Sequence, residues 1–182
     1  NVAGMWLLEE SLDYWAAKGE KYTAAELAKA AESLPKGAVI NANDPRFEKP
    51  GAMPERIAAL CQETNQPVPS TPAEYARCIF DSLADAYVKV LDQLQDAADV
   101  KIDSINIVGG ASANKLLNQL TANATGKTVY AGPVEATVLG SIITQMQAAG
   151  VITSLDEGRQ IIKNSTLQAV FKPCLLYTSP SP

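Results

Sequence analysis

Chemistry is most concentrated at Gly109-Gly110, which follow the alternating apolar run Ile105-Asn106-Ile107-Val108 and precede the amphipathic stretch 115–124. A strand that ends in a glycine pair and turns into a helix lets backbone approach a flat or phosphorylated ligand, because no Cβ stands in the way. The helix start adds unpaired N–H groups and a partial positive charge on the same side. The same spacing also suits a plain tight turn. Asn114 either accepts from a ligand hydroxyl or caps its helix, and the local pattern favours the cap.

Other chemistry-bearing residues exclude more than they offer. The chain has no histidine, so a histidine base and a Ser-His-Asp triad are both unavailable within it. Its cysteines, Cys61, Cys78 and Cys174, form no CxxC, which removes the usual zinc sites. Gly126-Lys127-Thr128 resembles the end of a phosphate-binding loop, but Thr121 stands where the pattern's first glycine belongs. That glycine also follows a helix and leads into a strand, the reverse of a phosphate loop, and reads as a helix C-cap. Asp81 and Asp85, four apart on a predicted helix, read as a solvated face. Glu135 follows Gly132-Pro133 at a helix start, where a carboxylate gains from the helix dipole whatever its function.

These residues need elements to position them. Met5, Leu8, Leu12 and Trp15 recur at helical spacing over 4–17, with a stop near Gly19. Thr23 with Glu26 forms a capping box for a helix to about residue 34. Residues 38–41 read as a short strand, 43–47 as turn, and Pro54 as the opening of a helix over 55–64. Pro67-Val68-Pro69-Ser70 is a stiff connector and a candidate sub-boundary. Thr71-Pro72-Ala73-Glu74 opens the longest helix, to about residue 95, with a stripe of Tyr75, Ile79, Leu83, Ala86, Val90 and Leu94. That stripe faces a core or, in the alternative, docks a partner. Beyond 102 the pattern is strand, glycine turn, helix, strand 128–131, helix 134–148 and a last helix capped by Ser154 with Glu157. Alternation of strands and helices places an α/β layer behind a mostly helical first part.

At 182 residues with 47% hydrophobic and 19% charged composition, the chain is long enough to bury a substantial core. A net charge of −5 without a basic stripe argues against a nucleic-acid surface, and no apolar run is long enough for a membrane span. Residues 1–4 carry no leader pattern. Residues 174–182 have no caps and close on Ser179-Pro180 and Ser181-Pro182; they read as a non-native, adapter-derived tail behind a domain of 1–173. Together the ends point to a piece of a longer chain.

Five blocks carry a family resemblance: 1–9 (Asn-Val-Ala-Gly-Met-Trp-Leu-Leu-Glu), 40–47 (Ile-Asn-Ala-Asn-Asp-Pro-Arg-Phe), 76–84 (Ala-Arg-Cys-Ile-Phe-Asp-Ser-Leu-Ala), 108–120 and 131–137 (Ala-Gly-Pro-Val-Glu-Ala-Thr). In order and spacing they resemble the C-terminal half of the FGGY-type carbohydrate kinases, over nearly the whole chain. The resemblance implies an α/β fold, the helix-rich C-terminal lobe of the actin-like (ribonuclease-H-like) ATPases with a short mixed sheet. It implies phosphoryl transfer from ATP, with Mg²⁺, to L-rhamnulose, giving the 1-phosphate in a cytoplasmic route of rhamnose breakdown. The parent would be a monomer or dimer. Gly110, with Gly109 and Asn114 beside it, would contact ATP and Asn1 the sugar. Glu9 falls on an ATP-contacting position where the family pattern has glutamine, and an acid there repels phosphate. The resemblance places the aspartate base and a glycine-rich phosphate hairpin in the N-terminal half, so this chain carries no catalytic residue and is expected to be inactive alone. Cys61 and Cys78 align with a pair that the family joins in a disulfide, whereas a cytosolic address favours two thiols. A kinase for another ketose and a non-enzymatic helical binding module remain the competing readings.

Overall fold

A computed structural model describes residue 2 and residues 4–174. Four helices come first: α1 (Trp6–Ala17), α2 (Ala24–Glu32), α3 (Met53–Glu63) and the long α4 (Pro72–Ala98). They are followed by β1 (Ser104–Ile107), α5 (Lys115–Thr125), β2 (Thr128–Ala131), α6 (Ala136–Ala148), α7 (Leu155–Ser165) and β3 (Ala169–Phe171). Both predicted capping boxes form. Thr23 accepts from the Glu26 N–H and Thr71 from the Glu74 N–H, with each glutamate returning to the cap backbone. Each satisfies N–H groups that the first helical turn leaves unpaired.

One core joins α1 to α5. Leu7 and Leu8 of α1, Ile57 of α3, and Ile79, Phe80 and Leu83 of α4 are buried, and Leu117 of α5 extends the cluster toward the sheet. The stripe on α4 faces this core as far as Ala86; its last turns run past it, and Leu94 is 54% exposed. Gly126 adopts a left-handed conformation at the end of α5 and its N–H bonds Ala122 O, so Gly126-Lys127-Thr128 is a helix stop.

The sheet is mixed. β1 and β2 are parallel, from Ser104 opposite Thr128 to Ile107 opposite Ala131, and α5 makes the crossover between them. β3, which the pattern did not predict, lies antiparallel to β2 with Phe171 opposite Val129. At three residues, β3 is too short for a readable alternation.

The segment 38–41 corrects the expected strand. It is extended with Ala38 and Ile40 buried, but its backbone is paired by side chains. Gln66 accepts from the Val39 N–H and donates to the Val39 carbonyl, both at 2.7 Å, and Ser82 Oγ accepts from the Ile40 N–H at 3.0 Å. Asp81 is a second correction. It is 6% exposed, accepts from the Gly37 N–H at 2.7 Å and pairs with Arg77 Nε at 2.8 Å. Arg77 also donates to the carbonyls of Ala31 and Leu34, tying the end of α2 to α4. Asp85 does lie on the solvated face, paired with Lys89.

Candidate functional site

The glycine corner is built from the ends of β1 and β2. The Gly109 N–H donates to Pro133 O at 3.0 Å, and the Gly132 N–H donates to Ile107 O at 2.8 Å. Gly109 lies at φ 76°, ψ −164°, a conformation that side-chain-bearing residues avoid. Gly110 is different: its φ is unremarkable, and a Cβ built there would meet nothing within 4 Å. Neither backbone conformation nor packing within the chain calls for glycine at that position. What a side chain at Gly110 would occupy is open space.

That space is a cleft of about 500 Å³ between the corner and α2, within the roughly 300–1,000 Å³ typical of ligand sites. Ala24, Ala25 and Ala28 give its α2 side a patch of small side chains that a flat ring can lie against. Gly110, Ala113 and Asn114 form the opposite wall, and Met5 also lines the cleft. Lys29, Glu32 and Lys115 bring charge to its lining. At the start of α2 the Glu26 carboxylate accepts from the Thr23 hydroxyl and N–H, which holds its pKa below the usual value.

A single 3-10 turn, Gly110–Ala113, intervenes before α5, where the pattern had the helix follow directly. Asn114 caps α5, its Oδ1 accepting from the Leu117 N–H at 3.0 Å. The first turn of α5 carries no acidic residue and Lys115 opens it, so no carboxylate of that turn competes for its unpaired N–H groups.

Of the expected site residues, Gly110 and Asn114 therefore line the cleft, while Gly109 precedes Gly110 outside its lining. Glu9 lies on α1 one turn beyond Met5, exposed and outside the lining of the cleft. Asn1 and the tail from 175 onward lie outside the described residues. Glu135 is exposed at the start of α6 without a side-chain cap bond. Cys61 on α3 and Cys78 on α4 are buried free thiols in the helical core. Donation to Cys61 and burial both push the Cys78 thiol up. Residue pattern alone could not find the α2 wall, because Ala24, Ala25 and Ala28 carry no chemistry until α2 is laid beside the corner.

The C-terminal-domain pattern of the FGGY family of carbohydrate kinases matches residues 1–149. The chain belongs to this family. Its helix-rich lobe with a small mixed sheet agrees with the actin-like C-terminal lobe that FGGY membership implies. Among FGGY relatives, it is 43% identical over 176 residues to a rhamnulokinase of Enterobacter sp. (strain 638), covering 95% of this chain and 35% of that protein. It is 38% identical over 165 residues to a rhamnulokinase of Halalkalibacterium halodurans, covering 91% of this chain and 35% of that protein. The Bacillus subtilis (strain 168) rhamnulokinase is 39% identical over 173 residues, with 95% and 35% covered. The chain thus spans about a third of the length of the curated relatives it matches. Among the described residues, no helix is long and apolar enough to cross a membrane.

Proposed function

We propose that this chain is the C-terminal part of a rhamnulokinase, and that the cleft between α2 and the glycine corner holds the nucleoside part of ATP. The observation that carries this reading is Gly110, a glycine with open space where its Cβ would be and a cleft of ligand size above it. The alanine wall of α2 suits the face of a base. The backbone of the corner and the start of α5 offer N–H groups, and Lys29 and Lys115 offer positive charge, toward phosphate. Asn114 keeps α5 capped while its side chain borders the cleft. Asn1 is proposed as a sugar contact. Glu9, which offers no donor to phosphate, is proposed only as a neighbour of the nucleotide.

Phosphoryl transfer depends on positioning, charge neutralisation and a base for the acceptor hydroxyl. This lobe supplies the first by holding the nucleotide. Among the described residues no group of three or more His, Cys, Asp or Glu side chains converges as a metal site. Mg²⁺ is proposed as the ion that accompanies the ATP phosphates. With no catalytic base assigned within it, the 182-residue chain alone is expected to transfer no phosphoryl group.

The test is a coupled ADP-release assay on the longer protein that carries this sequence, with L-rhamnulose and a panel of other ketoses, beside the 182-residue chain. Turnover of L-rhamnulose by the longer protein and none by the chain is the expected result. Preference for a different ketose would keep the FGGY kinase and change its sugar. Phosphorylation by the chain alone would overturn the division of labour.

A further inference from the structure

Asn118 is fully buried on α5, and the roles described above leave it unused. Its side chain is only half satisfied. Nδ2 donates to the Ser112 carbonyl at 2.9 Å, whereas Oδ1 is buried and accepts no hydrogen bond from any described residue. A buried amide with one end unmet is costly, and leucine would fill nearly the same shape without that cost. Packing alone therefore does not account for asparagine here.

The satisfied half leads directly to the site. Ser112 lies within the 3-10 turn that begins at Gly110. Its N–H, at 3.0 Å, and its hydroxyl, at 2.6 Å, both donate to the Gly109 carbonyl. Gly109 is in turn latched to Pro133. The chain of bonds runs from Asn118 through Ser112 to Gly109, and Gly110 is enclosed by it. The Asn114 cap bonds Leu117 and is no part of this chain.

We propose that Asn118 is a positioning residue for nucleotide binding. Its amide clamps the Ser112 carbonyl and so fixes Gly110 and the start of α5 at the cleft. The proposal rests on the reading of that cleft as the nucleotide site. Ser112 is only 8% exposed. Once the clamp is lost, its carbonyl regains a partner only if the turn moves toward water, and Gly110 moves with it.

The test uses N118L in the longer kinase, with T121V as a control. Thr121 is as deeply buried on the same helix, but its hydroxyl donates only to Leu117 O, away from the turn. Loss of one clamping hydrogen bond predicts a KM for ATP raised about tenfold in N118L, with the KM for the sugar and the far-ultraviolet circular dichroism unchanged. T121V should leave both KM values alone. If N118L does not fold, N118S leaves room for water at Ser112 O and carries the same comparison with a smaller rise. An unchanged KM for ATP, or equal rises for ATP and sugar, would overturn the clamp. Gly110→Val separates the two readings. If it leaves the KM for ATP unchanged, the nucleotide site itself falls; if it raises that KM and N118L does not, only the clamp falls.

Discussion

Two glycine-flanked segments lie against helices in this lobe, and they are held in opposite ways. Residues 37–41 are held by side chains: Asp81, Gln66 and Ser82 bond the backbone directly, and Ala38 and Ile40 are buried. Residues 107–113 are held largely by backbone, with Gly109 latched to Pro133 and Ile107 to Gly132, while Ala113 stays exposed. Side-chain pairing takes up the Gly37, Val39 and Ile40 N–H groups and the Val39 carbonyl of the first segment. Backbone latching fixes the second from one side and keeps the side facing α2 open. On the proposed reading the second segment binds and the first only supports the fold, although both run beside glycine.

This difference can be broken from either end. The largest effect is expected at Asp81. Asp81→Ala leaves the half-buried Arg77 without its ion-pair partner and the Gly37 N–H unsatisfied, which should cost about 3 kcal/mol in urea denaturation. A loss below about 1 kcal/mol would mean that the pair is replaceable by solvent. At the corner, Gly110→Val should do the converse. It should weaken ATP binding at least about tenfold, roughly 1.4 kcal/mol, while stability moves by no more than about 0.5 kcal/mol. A calorimetric titration and a melting curve on the same sample decide this.

Ser82→Ala sharpens the contrast, since it removes the acceptor for the buried Ile40 N–H. It should cost about 1 kcal/mol without altering nucleotide affinity. A change in affinity would mean that the two segments communicate. The smallest effect is expected at Glu74, which caps α4 and accepts from Ser70. Those bonds lower its pKa below the ordinary 4.5. Its contribution is therefore complete above 4.5 and lost as pH falls through the lowered native value. Glu74→Gln should flatten that part of the acid limb of the melting temperature. An unchanged limb would show that the cap does not report there.

Where the sequence could be read, the deciding bonds are local. Thr23 with Glu26, Thr71 with Glu74, and Ser154 with Glu157 are separated by three residues, so helix starts are visible without the fold. Gly126 and Gly109 announce left-handed or glycine-only backbone in the same way. The strand–glycine–helix order at 104–125 was readable because each part acts on its neighbour. Asp81 was misread because its partner Gly37 is 44 residues away, and helical spacing alone puts Asp81 beside Asp85. Residues 38–41 have a strand's pattern, but Gln66 lies 27 residues on and Ser82 lies 42 beyond Ile40; no local rule distinguishes a side chain from a neighbouring strand.

The sequence by itself determined the helices, their caps, the two parallel strands and the glycine corner, because hydrogen bonds and periodicity within a few residues settle them. Its motif blocks also determined the FGGY membership. Tertiary structure alone decided that three alanines of α2 face Gly110 across a cleft, that β3 completes the sheet, and that Asn118 reaches Ser112 with half its amide unmet. Burial and cleft shape depend on which surfaces meet, and that is set by how one shared core packs its helices together.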